Sequence, residues 1–177
     1  MPWAAGRAPA PPNPTSCNPT SGTIAGGIGT QILGTNMTGA TGATFGGTAM
    51  ANFSVTNDTT IIGTTPPHAP GLADIVVTGP GGDGTLVGGY TYITPAQVTS
   101  VTPDQGPEAG GDAVTVAGLA FTGATAVLFG PANPAADFVV VNGTTITCTT
   151  PPGVGSVPVT VQKPGGNGVL PDGYEYV

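Results

Sequence analysis

One histidine, two cysteines and nine carboxylic acids carry nearly all the reactive chemistry of this 177-residue chain. His68 directly follows "TTPP" in a Pro-rich turn. A histidine acts as a base only beside a nucleophile it can deprotonate, and neither a G-x-S-x-G nor a C-x-x-C phrase accompanies it. His68 therefore reads as a loop residue. Asp74, Asp83, Asp104, Asp112, Asp137 and Asp172 stand singly in turns, where a carboxylate caps or solvates, and they do not form the facing pair that glycoside hydrolysis needs. Asp104 and Glu108, with neighbouring carbonyls, are the candidates for a calcium ion, but no ligand spacing known for that ion surrounds them. The expectation is no catalysis, no metal and no cofactor.

Cys17 and Cys148 fall in different halves of the chain, so neither half can close an internal disulfide. Both read as small buried hydrophobes. Tyr90 with Tyr92, and Tyr174 with Tyr176, lie two apart and so share one side of a strand. Aromatic rings aligned in this way either stack on sugars, which makes the four tyrosines candidate glycan contacts, or edge the core with their hydroxyls reaching outward. The core reading is preferred.

These residues must be positioned by β-structure. With 31 Gly, 20 Pro and only 6% charged residues, against roughly 25% in an average soluble protein, the chain is poor in helix formers and rich in Thr, Val and Ile, which suit a pleated surface. Two basic residues, Arg7 and Lys163, face nine acids for a net charge of −7. A polyphosphate backbone cannot be neutralised with so few cations, so nucleic acid and anionic membrane surfaces are poor partners. No apolar run reaches the roughly 18 residues of a membrane-spanning helix. The start, "MPWAAGRAPAPPNP", has no apolar stretch between a basic end and a cleavage site, so it does not read as a secretory signal.

An internal repeat organises the rest. An offset of 84 residues places Ser16 on Ser100, Pro19 on Pro103, Gly22 on Gly106, and "TGAT" at 38–41 on "TGAT" at 122–125. An offset of 85 aligns Phe53 with Phe138, Ile61 with Ile146, and the two "TTPP" phrases, whose first Pro is expected to end a strand. At 84 again, "PGGDG" overlies "PGGNG" and "GYTYI" overlies "GYEYV". Each copy breaks into about seven short β-rich runs separated by turn residues, the signature of a sandwich. In "VPVTVQ", Val157, Val159 and Val161 alternate with Pro158, Thr160 and Gln162 and should face inward, as should Ala73, Ile75 and Val77 in the first copy. The Gly-rich phrases predict a hairpin between the last two strands.

The order "VTSVTPDQGPEAGGDAVTVAGLAF", "VLFG", "ITCTTPP", "VPVTVQ", "GYEY" resembles the IPT/TIG family of immunoglobulin-like domains, closely over 98–177 and more loosely over 15–93, where Cys17, Gly29 and Gly42 replace apolar residues. The resemblance implies an Ig-like β-sandwich of the kind used in cell-surface proteins, extracellular enzymes, some transcription factors and phage virion proteins, and implies no single activity. The expected architecture is all-β, with two tandem immunoglobulin-like β-sandwiches preceded by an extended Pro-rich N-terminal arm. The arm spans 1–14, the first domain 15–93, a short linker 94–97 and the second domain 98–177.

The arm has no counterpart in the second copy and reads as a polyproline-like docking strap, with Pro2, Trp3, Arg7, Pro9, Pro11 and Pro12 as its contacts. Two functions of different class follow. One is a bacteriophage virion protein, a capsid decoration or head/tail accessory present as a homo-oligomer or in many copies, anchored to other virion proteins by the arm. The other is a secreted bacterial surface adhesion or carbohydrate-binding module, extracellular and meeting host surface glycans. An enzyme fails for want of residues and a transcription factor fails on charge.

Overall fold

A computed structural model describes residues 8–177, and Pro2, Trp3 and Arg7 of the expected docking strap lie outside the described residues. The chain divides into two compact units, one ending at Ile93 and one beginning at Thr94. Every regular element among the described residues is a strand.

Unit 1 contains β1 (Asn13–Asn18), β2 (Ser21–Thr23), β3 (Gly29–Thr35), β4 (Gly42–Phe45), β5 (Thr48–Ala49), β6 (Ala51–Asn57), β7 (Thr60–Thr64), β8 (Gly71–Gly79) and β9 (Gly82–Ile93). They form two sheets, ordered β1-β3-β7-β6 and β2-β9-β8-β4-β5. Unit 2 contains β10 (Gln97–Thr102), β11 (Gln105–Gly106), β12 (Ala113–Leu119), β13 (Ala126–Phe129), β14 (Ala136–Asn142), β15 (Thr145–Thr149), β16 (Gly155–Gln162) and β17 (Gly168–Tyr176). Its sheets run β10-β12-β15-β14 and β11-β17-β16-β13.

Both units are thus Ig-like sandwiches with Greek-key order, as the alternating patterns predict. The first strand of each copy does not stay within one sheet. It is cut at a proline and its second part joins the opposite sheet, with β2 parallel to β9 and β11 parallel to β17. Pro lacks the N–H that would continue the ladder, and the Asn18–Pro19 and Thr102–Pro103 bonds are both cis. The inward residues of the two sheets close one core per unit. Ile32, Phe45, Ile61, Ile75 and Val77 anchor the first; Val116, Phe129, Ile146, Val159 and Val161 anchor the second. The expected hairpins are present, with Gly79 opposite Gly82 in β8–β9 and Val161 opposite Gly168 in β16–β17.

The strand-ending role of "TTPP" holds, since β7 and β15 stop one residue before its second threonine in "TTPP". The phrase does more than stop a strand. Thr65 and Thr150 are buried, and their hydroxyls accept the backbone N–H of Ile28 and Asp112, each at 3.1 Å. The first prolines leave free carbonyls, which take the hydroxyl protons of Tyr92 (2.8 Å, to Pro66) and Tyr176 (2.7 Å, to Pro151). Each copy of the phrase therefore latches the last strand of its own sandwich.

Two boundaries differ from the sequence reading. Residues 94–97 are built into unit 2 rather than forming a separate linker. Ala96 is buried and donates its N–H to Gly166 at 3.1 Å, Thr94 accepts from Lys163 Nζ at 3.0 Å, and Gln97 already opens β10. The equivalent segment of unit 1 is the end of the expected arm, so the arm does have a counterpart from about residue 10 onward. Pro12 is buried, Asn36 Nδ2 donates to the Pro11 carbonyl at 3.3 Å, and β1 starts at Asn13.

A shared close approach explains both. A side chain on Gly84 would strike the backbone of Pro12, and one on Gly168 would strike the backbone of Ala96 at 2.7 Å. Only glycine lets the leading segment lie on the hairpin. Lys163 reinforces this in unit 2 by also donating to the Ala120 carbonyl at 2.7 Å.

Candidate functional site

The four tyrosines are core residues. Tyr90 and Tyr174 are 0% exposed, Tyr92 1% and Tyr176 4%, so none offers a face to a sugar. The glycan-contact reading of Tyr90, Tyr92, Tyr174 and Tyr176 is corrected accordingly. Period-two spacing puts both members of a pair on one side of a strand, and in each unit that side faces the opposite sheet. Tyr90 meets Phe45 edge-on at 5.3 Å, and Tyr174 meets Phe129 at 5.2 Å.

Their hydroxyls separate the copies. Tyr174 Oη lies 3.4 Å from Asp112 Oδ2, whereas Ile28 stands at the Asp112 position in unit 1 and the Tyr90 hydroxyl is buried with no hydrogen-bond partner among the described residues. Leaving a buried hydroxyl unpaired costs about 1–3 kcal/mol. Tyr90→Phe is therefore expected to leave unit 1 as stable or raise its stability by about 1 kcal/mol, and Tyr174→Phe to lower that of unit 2 by a similar amount. Urea midpoints of the two variants test the difference; a larger loss from Tyr90→Phe than from Tyr174→Phe would refute it.

The remaining candidates also take structural places. The His68 ring stacks on Tyr92 at 4.8 Å and 26°, with Nδ1 2.7 Å from the Ala69 carbonyl. Cys17 and Cys148 are free and buried; Cys17 Sγ lies 3.1 Å from Thr30 Oγ1. Burial pushes the Cys148 thiol up to about 11 and the Tyr92 phenol up to about 12, the reverse of what a nucleophile requires. Among the described residues no three His, Cys, Asp or Glu side chains gather as a metal site.

The described part of the docking strap is spent on its own unit. Pro12 packs on Gly79, and the backbone at Pro9 lies against Gly81. Pro11 is held through its carbonyl by Asn36. Asn57 and Asn142, which head Asn-x-Thr phrases, accept the N–H of Thr59 and Thr144 at 2.9 and 2.8 Å, so the phrase is accounted for by a turn in which the amide oxygen caps the next strand.

A concavity lies on the outer face of β1-β3-β7-β6 in unit 1, with a volume of about 550 Å³. A single cross-strand rung makes its centre: Asn18 opposite Gln31, Gln31 opposite Ile62, Ile62 opposite Ser54. The next rung sets Gly29 opposite Thr64. Gly29 contributes no side chain, which lowers the floor. Asn52, at φ +50° in a bulge of β6, donates from Nδ2 to Thr64 Oγ1 at 3.2 Å and raises the rim. Asn18 and Gln31 are exposed, and no ionised side chain lines the recess.

The same sheet in unit 2 is different. Its central rung is Thr102, Thr115, Thr147 and Val139, Ala113 replaces Gly29, and Asp137 replaces Asn52. Sequence reasoning missed this face because its residues lie on four strands far apart in the chain. The signal was present in the repeat, as the few positions where one copy has an amide or glycine and the other has Thr, Ala or Asp.

Comparison with known proteins bears on the fold. The profile of one family, described as IPT/TIG domain, matches residues 12–93 and again 96–176. Among curated proteins none matches. Solved structures similar in fold include the following three. SGBP-B from a complex xyloglucan utilization locus in Bacteroides uniformis is 18% identical with a TM-score of 0.44, covering 93% of this chain and 49% of that one. The surface glycan-binding protein PbSGBP-B from Prevotella bryantii is 19% identical with a TM-score of 0.40, covering 96% and 43%. The plexin A4 extracellular region is 19% identical with a TM-score of 0.48, covering 100% and 19%. The chain thus spans about half the length of the first and about a fifth of the plexin region.

Proposed function

The chain belongs to the IPT/TIG family through both of its halves, and on that premise we propose that it is a non-enzymatic adhesion module of a secreted or cell-surface protein. One observation carries the reading. The two units keep the same inner architecture, latch and leading segment, while their outer sheet faces diverge, amide-lined and recessed in unit 1, threonine-rich in unit 2. A scaffold that holds its core and varies an exposed face is built to present surface rather than to enclose reacting groups. With Lys163 engaged by backbone carbonyls and the acids scattered singly, what the module offers is sparsely charged, hydrogen-bonding surface.

The virion reading used the arm as its anchor. Residues 9–12 lie on their own unit, which removes that support for the described part of the strap.

Antibody labelling of intact cells of the source organism tests the proposal. Labelling that is removed by external protease is the expected result. Protein confined to the cytosol, or found only in purified phage particles, would overturn it.

A further inference from the structure

Resting on that surface-adhesion reading, we propose that the recess on β1-β3-β7-β6 of unit 1 is a binding site for an uncharged oligosaccharide. A carboxamide offers two donors and an acceptor on one planar group. Asn18, Gln31 and Asn52 place three of them around one hollow, where Thr64 adds a hydroxyl. Asn52 already gives one N–H to Thr64 Oγ1, and this fixes the orientation of its amide and leaves its oxygen to accept. Pro19 and Ile62, the latter 40% exposed, supply apolar surface for the C–H groups of a sugar ring. The mixture of paired donors and acceptors with a small apolar floor matches a polyol. The absence of any ionised lining side chain gives a charged ligand no counter-ion.

The volume of about 550 Å³ falls within the range of small-ligand sites. A peptide is the weaker occupant, since peptides that bind sheets do so by pairing with a free edge. Here the hollow lies on a face whose central strands, β3 and β7, are already paired on both sides. Unit 2 serves as an internal control, because its Thr, Ala and Asp substitutions remove the amides, fill the floor and add a charge at the same positions.

The test uses an array of neutral oligosaccharides of four to six units, with acidic oligosaccharides and an unstructured peptide set alongside, followed by calorimetric titration of whatever binds. The expected result is binding of at least one neutral oligosaccharide, weakened at least tenfold by Gln31→Ala and abolished by Gly29→Leu. Gly29 is exposed and a Cβ there meets nothing within 4 Å, so Gly29→Leu fills the hollow without disturbing the fold. Thr115→Ala, at the matching position of unit 2, should leave binding unchanged. Unchanged urea midpoints establish that each variant is folded. Binding of acidic glycans or peptides alone, no binding at all, or binding that survives Gly29→Leu would overturn the assignment. If the array fails while surface labelling of cells persists, the site is wrong and the adhesion reading stands; if labelling fails as well, both fall.

Discussion

Tyr174→Ala is expected to destabilise unit 2 by roughly 3–5 kcal/mol while unit 1 keeps its own transition. Tyr174 is fully buried, packs edge-on to Phe129 at 5.2 Å, and meets Tyr176 at 5.0 Å. Removing the ring opens a cavity between the two sheets and withdraws support from the neighbour whose hydroxyl holds the Pro151 carbonyl. For a unit of this size the loss is a large part of a total stability of about 5–15 kcal/mol. Scanning calorimetry should show one of two transitions lowered by about 15 °C or more. The other should stay in place, because the core of unit 1 shares no residue with that of unit 2. A shift of both transitions together, or one below about 5 °C, would show that the ring is not the keystone of its sandwich.

Alkaline pH is the second large lever. Burial holds the Cys148 thiol up to about 11, from 9.0, and the Tyr92 phenol up to about 12, from 10.0. Cys17, Tyr90, Tyr174 and Tyr176 are also raised, with burial as the main cause. In this range the folded chain keeps protons that the unfolded chain has released. The unfolded state binds fewer protons, so stability falls as pH rises.

The contribution of Cys148 is intact below about pH 9 and is lost by about pH 11; that of Tyr92 is lost between about 10 and 12. Each amounts to roughly 2–3 kcal/mol. Urea midpoints measured from pH 7 to 11 should be flat and then fall steeply above 9, and Cys148→Ala should make the fall of unit 2 shallower. A midpoint that does not move between pH 8 and 11 would contradict this account.

Much of the fold was legible because sandwiches write their period into the chain. Val159 and Val161, like Ile75 and Val77, alternate with polar residues and are buried as that alternation requires. The hairpins could be read from "PGGDG" and "PGGNG", since few phrases supply so many positive-φ positions. The repeat itself showed that two units existed. What the period leaves open is which side of a strand is covered, and by what. Tyr90 and Tyr92 share a side in any sheet, and only the facing Phe45 and the "TTPP" carbonyl make that side the interior. The arm was misjudged for a related reason. Proline-rich sequence signals an extended backbone, but its resting place depends on Gly79, Gly81 and Gly84, about 70 residues further along.

The sequence by itself determined the class, the duplication and the hairpins, because these follow from composition and from short-range periodicity. The tertiary structure alone decided that the tyrosines are core, that the leading segments are bound to their hairpins, and that one sheet face is hollow. Asn18, Gln31 and Asn52 sit on three strands, of which β6 pairs with neither of the other two, and become neighbours only through the order β1-β3-β7-β6. Such proximity is a product of register and layer order, long-range relations that no local run of residues encodes.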